Sequence, residues 1–175
     1  MSTPYSFRPA GPDDEELISR WFGLPHVMEF WGDVDTNTAD FRNTLSGEND
    51  LFNYLIGQDG EAPFCLLITT NAATGEPEHL LPHLPETGDA WTLDVLIGPP
   101  EYRGRGIAVP MITSFLHHAQ RLCPSLQVVF IDPEANNPRA IHVYEKAGFR
   151  RIAEFTPSDG RFQGQPHVLL AYHFH

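Results

Sequence analysis

The sequence predicts a mixed α/β domain. Three observations carry that prediction: strand-like and helix-like segments alternate through the second half, an apolar hairpin stands upstream of them, and no repeat or low-complexity tract interrupts the order. With 175 residues, 41% of them hydrophobic and 12 of them phenylalanine, the chain is long enough for one domain, residues 1–175, with a sizeable core.

Each element has a local reason. YSFRPA (5–10) reads as a short strand. GPDDEELISRWFG (11–23) reads as a helix with Pro12 and four acids in its first turn, where they suit the helix dipole, and with Leu17, Ile18, Trp21 and Phe22 on one face. HVMEFWGD (26–33) and TADFRNTL (38–45) read as short helices. LFNYLIG (51–57) and PFCLLITT (63–70) form a hairpin around the Asp-Gly of QDGEA. GEPEHLLPHLPETGD (75–89), with three prolines and two histidines, reads as a surface excursion.

AWTLDVLIG (90–98) is a strong strand. After it, Ala108, Met111, Ile112, Phe115, Leu116, Ala119 and Leu122 repeat every three or four residues and define one buried helix face, with Pro110 tolerated in the first turn. LQVVFID (126–132) is nearly continuous in apolar residues, as a strand covered on both sides requires. NPRAIHVYEKAGF (137–149) is a helix opened by Asn137 and Pro138 and closed by Gly148. RRIAEFT (150–156) and HVLLAYHFH (167–175) are the last two strands.

The chain carries 23 acidic against 11 basic residues, a formal charge of −12. Its field repels nucleic acid and anionic membranes and attracts cations, so neither is an expected partner, although an acidic surface serves solubility equally well. No stretch reaches the roughly 20 apolar residues that span a bilayer, and the first 20 residues lack the basic-then-apolar pattern of a signal, so a soluble, cytoplasmic protein is expected. Cys65 and Cys123 sit among apolar neighbours without CxxC spacing and read as two buried free thiols. The nine histidines form no ligand spacing. His117 with His118, and His173 with His175 on one face of the last strand, come nearest, and no metal is expected.

GPPEYRGRGIAVPMITSFL (98–116) is the most telling stretch. Glycines here let the backbone turn tightly and approach a ligand, and the helix that follows opens with unpaired N–H groups carrying partial positive charge. Such a turn holds an anion. Against a charge of −12, a compact cofactor suits it better than a nucleic-acid backbone; the bland reading is an ordinary strand-to-helix turn with two exposed arginines.

The run Arg103-Gly104-Arg105-Gly106-Ile107-Ala108 resembles the acetyl-CoA pyrophosphate loop of the GNAT acetyltransferases, Q/R-x-x-G-x-G/A. NNPRAIHVYEKAGF (136–149) resembles the asparagine, tyrosine and Gly-Phe of that family's next strand–helix unit. WFGLPHVMEFWGD (21–33), LDVLIG and IDPEANNPRAIHVYEKAGF are similar to the aminoglycoside 6'-N-acetyltransferases and their siderophore-type acyltransferase relatives. Ala108 stands where many members have glycine, and Asp94 replaces the histidine of the siderophore-type enzymes, which argues against a hydroxylysine substrate. The resemblance implies a GNAT fold: a central, mixed, mostly antiparallel twisted sheet of six to seven strands flanked by helices. It also implies acetyl transfer from acetyl-CoA to a primary amine of a small, polycationic, aminoglycoside-like acceptor, by a monomer or homodimer. The alternatives are acylation of a lysine-derived siderophore amine or a protein N-terminus, and a non-catalytic acyl-CoA-binding module.

Acetyl transfer needs a neutral amine, a donor for the developing oxyanion, and a proton for the departing thiolate. Backbone groups of Leu96, Ile97 and Gly98 are candidates for pantetheine and the thioester carbonyl. Arg103, Gly104, Arg105, Gly106, Ile107 and Ala108 are candidates for the pyrophosphate, and Asn137 joins the cofactor site by resemblance. Tyr144 is the candidate general acid, since a phenol of ordinary pKa about 10 matches a departing thiolate; otherwise it is a core tyrosine in register with Ala140 and Ala147. Asp94 is expected to be a buried carboxylate in an apolar strand, there to take a proton from the acceptor or pair with its ammonium. Otherwise it faces solvent in alternation with Thr92. Glu29 and Asp132 are further carboxylates for a cationic acceptor, with Trp31 and Trp21 as apolar walls.

Overall fold

The computed structural model describes residues 4–75 and 78–175. Strands β1 (Tyr5–Pro9), β2 (Asn53–Asp59), β3 (Ala62–Asn71), β4 (Asp89–Ile97), β5 (Leu126–Ile131), β6 (Arg150–Phe155) and β7 (His167–His173) form one sheet of order β1-β2-β3-β4-β5-β7-β6. The β1–β2, β2–β3, β5–β7 and β6–β7 pairs are antiparallel and β4–β5 is parallel, so the sheet is mixed and mostly antiparallel, as expected. Five helices accompany it: α1 (Glu15–Phe22), α2 (Pro25–Trp31), α3 (Val34–Ser46), α4 (Ala108–Leu122) and α5 (Pro138–Lys146). None of the described helices is long and apolar enough to cross a membrane.

The chain divides into two compact units, and β4 contributes to both. The first comprises the residues up to Thr70 and Asp94–Ile107. Its core is Ile18, Trp21, Phe22, Val27, Phe41, Tyr54, Ile56, Leu66, Ile68 and Leu96. The predicted face of α1 is buried at Ile18, Trp21 and Phe22, each such side chain stabilising the unit by about 1.5–3 kcal/mol. The α-helix begins at Glu15, with Glu15 and Glu16 in its first turn, later than Pro12. Pro12–Asp14 forms a 3-10 turn in which the Gly11 amide donates to Asp14 Oδ2 at 2.8 Å, and the Arg8 guanidinium grips both Asp14 oxygens at 2.7 Å. The hairpin forms as predicted: Asp59 pairs with Ala62, and Gly60 at φ +61° supplies the left-handed residue of the two-residue turn. Cys65 is fully buried behind Gly57, and burial pushes its thiol up to about 12. Helix α3 is longer than read from sequence. Asp33 caps it by accepting from the Thr36 amide at 2.8 Å, and the helix runs 13 residues despite its polar composition.

The second unit comprises Asn71–Leu93 and Ala108–His175. Ala72, Leu80, Ala90, Val128, Phe130, Leu169 and Ala171 form its cluster, with Leu84, Ile152, Ala153 and Phe155 packed against it. The stretch 75–89 is therefore more than a surface excursion: Glu78–His83 folds as a 3-10 turn that buries Leu80 in the core. Glu76 and Pro77 of that stretch lie outside the described residues. Helix α4 buries Met111, Ile112, Phe115, Leu116 and Ala119 as its spacing requires, but Leu122, in its last turn, is 60% exposed. Cys123 is half-buried rather than buried, with its thiol donating to Asp89 at 3.4 Å. β7 ends at His173, so His175 does not share a strand face with it.

Candidate active site

In the first unit, β4 ends at Ile97 and the chain turns through Pro100–Tyr102, with the Tyr102 amide bonded to the Pro99 carbonyl and the Arg103 amide to that of Pro100. Tyr102 stacks on Phe64 at 4.8 Å, and the Arg105 guanidinium lies 5.9 Å from the Tyr102 ring centre. Gly104 and Gly106 stand at φ +71° and +72°, conformations that glycine adopts without strain. Nothing lies within 4 Å of where a Cβ would sit on Gly106. The backbone there is thus both left-handed and open to a ligand. Arg103 and Arg105 are exposed, and the chain runs through Ile107 into α4 at Ala108. A glycine turn with open, left-handed backbone and two exposed cations fits a pyrophosphate.

Just upstream, the Gly98 amide donates to the Phe64 carbonyl at 3.0 Å, and His26 Nε2 donates to the Ile97 carbonyl at 3.0 Å. A carbonyl only accepts, so the hydrogen is on Nε2. The Gly98 hydrogen is thus bonded to Phe64. Gly98 has a packing reason: the Trp21 ring occupies the space a Cβ would need. Trp21 is 3% exposed and belongs to the core, so it does not wall an acceptor site. The Leu96 side chain is likewise in the core, which leaves only its backbone for a ligand.

Asp94 is exposed, which overturns the expectation of a buried carboxylate; its neighbours Leu93 and Leu96 are buried, so burial along β4 does not follow a simple period of two. Tyr54 feels it. Burial pushes the Tyr54 hydroxyl well above the tyrosine range, and the charges of Asp40 and Asp94 push the same way. Glu29 is exposed on α2, and Trp31 is half-buried, with its ring 6.0 Å from Phe22.

In the second unit, Asn137 caps α5 by accepting from the Ala140 amide at 3.2 Å. Its side-chain oxygen thus caps the helix, as Asn137 followed by Pro138 predicts. Tyr144 is half-buried on α5, its ring 6.1 Å from Phe149. Asp132 follows β5 directly, with 39% of its side chain exposed, and faces His79 Nε2 at 3.5 Å. Among the described residues, no group of three His, Cys, Asp or Glu side chains could hold a metal ion.

Residues 11–157 match the family described as an acetyltransferase (GNAT) domain, a match that runs through both units. The chain belongs to the GNAT acetyltransferases. It is thus an acetyl-CoA-dependent N-acetyltransferase by family. An aminoglycoside N(6')-acetyltransferase of Legionella pneumophila superposes with a TM-score of 0.79 at 30% identity, over 98% of this chain and 92% of that one. The aminoglycoside N(6')-acetyltransferase type 1 of Klebsiella pneumoniae is 24% identical over 160 residues, 84% of this chain and 74% of the relative. An aminoglycoside acetyltransferase solved with coenzyme A and kanamycin has the same fold, with a TM-score of 0.78 at 20% identity over 97% of this chain and 94% of the other.

Two residues of this GNAT chain escaped the sequence reading. His26 was visible inside the Trp-x-x-x-Pro-His segment, but nothing local says that its partner is a carbonyl 71 residues away. His79 lay in a stretch read as a loop, and its neighbour Asp132 is 53 positions later, so no spacing pattern could link them.

Proposed function

We propose that this GNAT enzyme moves acetyl from acetyl-CoA to a primary amine of a small polycationic acceptor of the aminoglycoside kind, as one acetyltransferase domain in the cytoplasm. Gly104 and Gly106, with the amides of Ile107, Ala108 and the first turn of α4, hold the pyrophosphate, and Arg103 and Arg105 add charge. The backbone of Leu96 and Ile97 at the end of β4 meets the pantetheine arm and the thioester oxygen, with the Ile97 carbonyl held by His26 and the Gly98 amide by Phe64. Acetyl-CoA supplies the acyl group and a thiolate leaving group. Tyr144 gives that thiolate its proton, and Asp94 accepts the proton of the acceptor ammonium or pairs with it.

The observation that carries the acceptor class is Asp94: a carboxylate exposed on β4, in a chain of net charge −12, can meet an ammonium from solvent. Glu29, Trp31 and Asp132 add charge and an apolar wall. Thiol release from acetyl-CoA over a panel of kanamycin, spermidine, lysine, N6-hydroxylysine and a peptide N-terminus tests the proposal. Kanamycin is expected to be acetylated fastest. Preference for a lysine derivative or a peptide would overturn the acceptor class, and CoA binding without thiol release for any amine would mark a binding module.

A further inference from the structure

We propose that His79 is a positioning residue that fixes the Asp132 carboxylate for the acceptor's ammonium. The inference rests on the reading of Asp132 as an acceptor-binding carboxylate. Leu80, 1% exposed, anchors the Glu78–His83 turn in the core of its unit, so the residue beside it is held in place. The His79 ring stacks on Phe155 with centroids 3.7 Å apart and planes 17° from parallel. Phe155 in turn stacks on His167 at 5.4 Å, and His167 is tied through Nδ1 to the Gln165 carbonyl at 2.7 Å. This stack sets the plane of the His79 ring.

In that plane Nε2 is buried and has no hydrogen-bond partner among the described residues. The polar group it faces is Asp132 Oδ2, at 3.5 Å. Hydrogen bonds that serve a reaction are often long before a substrate closes on them. A modest approach makes this an N–H to carboxylate bond, a charge-assisted type that is shorter and stronger than a neutral one. The exposures divide the work: the Asp132 side chain is 39% accessible and His79 only 22%. An ammonium can reach Asp132, and His79 acts through it. With Oδ2 held by His79, Oδ1 is the oxygen left for the acceptor's ammonium.

The test uses His79→Phe, which keeps the stack on Phe155 and removes the polar atom, His79→Gln, which restores an N–H donor, and Asp132→Asn. Steady-state kinetics with kanamycin and calorimetric binding of kanamycin to the CoA-loaded protein are the readouts. His79→Phe should raise the kanamycin KM about tenfold, as for a lost hydrogen bond to a charged group, with the KM for acetyl-CoA and the melting temperature unchanged. His79→Gln should recover most of the loss. In an Asp132→Asn background, His79→Phe should add nothing, because its effect passes through the carboxylate. Full additivity of the two changes, or a wild-type kanamycin KM in His79→Phe while Asp132→Asn is impaired, would overturn the inference alone. An unimpaired Asp132→Asn, or no binding of kanamycin to the wild type, would overturn it together with the acceptor reading on which it rests.

Discussion

The side chain of His26 hydrogen-bonds the main-chain carbonyl of Ile97 at 3.0 Å, one residue before Gly98 gives its amide to Phe64. The end of β4 is therefore fixed at both the carbonyl and the amide of a single peptide group. Trp21 completes the clamp by packing where a side chain at position 98 would go. A strand end held in this way keeps its remaining backbone groups in one orientation, which is what a donor or acceptor for a thioester arm requires.

Gly98→Ala should unfold more easily, by about 1–3 kcal/mol, because the added methyl meets the buried Trp21 ring. Chemical denaturation measures it, and adding Trp21→Leu should recover part of the loss by making room. A Gly98→Ala variant of unchanged stability would mean that the glycine is not there for packing.

Acid should weaken the first unit through Asp14. The Arg8 guanidinium, and then the Gly11 amide, hold this carboxyl below its ordinary value of about 3.9. A depressed carboxyl stabilises the fold above its unfolded pKa, and that contribution disappears as pH falls through the folded one. Asp14→Asn should cost about 1–3 kcal/mol at pH 7. The gap between the two proteins should narrow below about pH 4. A gap that stays constant down to pH 2 would remove the ion pair from the account.

Gly106→Asp should abolish most CoA affinity with little effect on folding. The site has room for a side chain, aspartate is among the residues that enter the left-handed region at small cost, and the new charge stands where the pyrophosphate is proposed to approach. Calorimetric titration with CoA decides it: unchanged affinity would take the loop out of the cofactor site.

Tyr144→Phe should lower kcat far more than it weakens CoA binding, because the hydroxyl is proposed to act on the departing sulfur. The ring and its contact with Phe149 remain in the variant. Equal losses in kcat and affinity would make Tyr144 a structural residue.

What the sequence made legible is what local chemistry determines. Gly104 and Gly106 were readable because left-handed backbone selects glycine, and Asn137 followed by Pro138 announced α5 because an asparagine cap and a first-turn proline suit a helix start. Helix α3 began four residues earlier than read, since its stabilising cap at Asp33 lies in a polar stretch without an apolar stripe. Asp94 was misplaced because the apolar run around it suggested burial throughout, whereas β4 buries Ala90, Leu93 and Leu96 and leaves Asp94 exposed. The amide of Gly98, the ring of His26 and the His79–Asp132 pair all depend on partners distant in sequence, and no local pattern encodes them.

The most direct test of acetyl transfer to a cationic acceptor is the kanamycin-dependent rate of thiol release from acetyl-CoA in Asp94→Asn, measured beside CoA affinity. The substitution keeps the shape of an exposed side chain and removes its charge, so the fold and CoA affinity should hold. The rate should fall about tenfold or more, the usual loss when a catalytic acid or base is removed. In the wild type, added salt should raise the KM for kanamycin by screening the −12 charge, with little effect on a small monoamine. A full rate with kanamycin in Asp94→Asn would contradict the account and leave Asp94 a bystander.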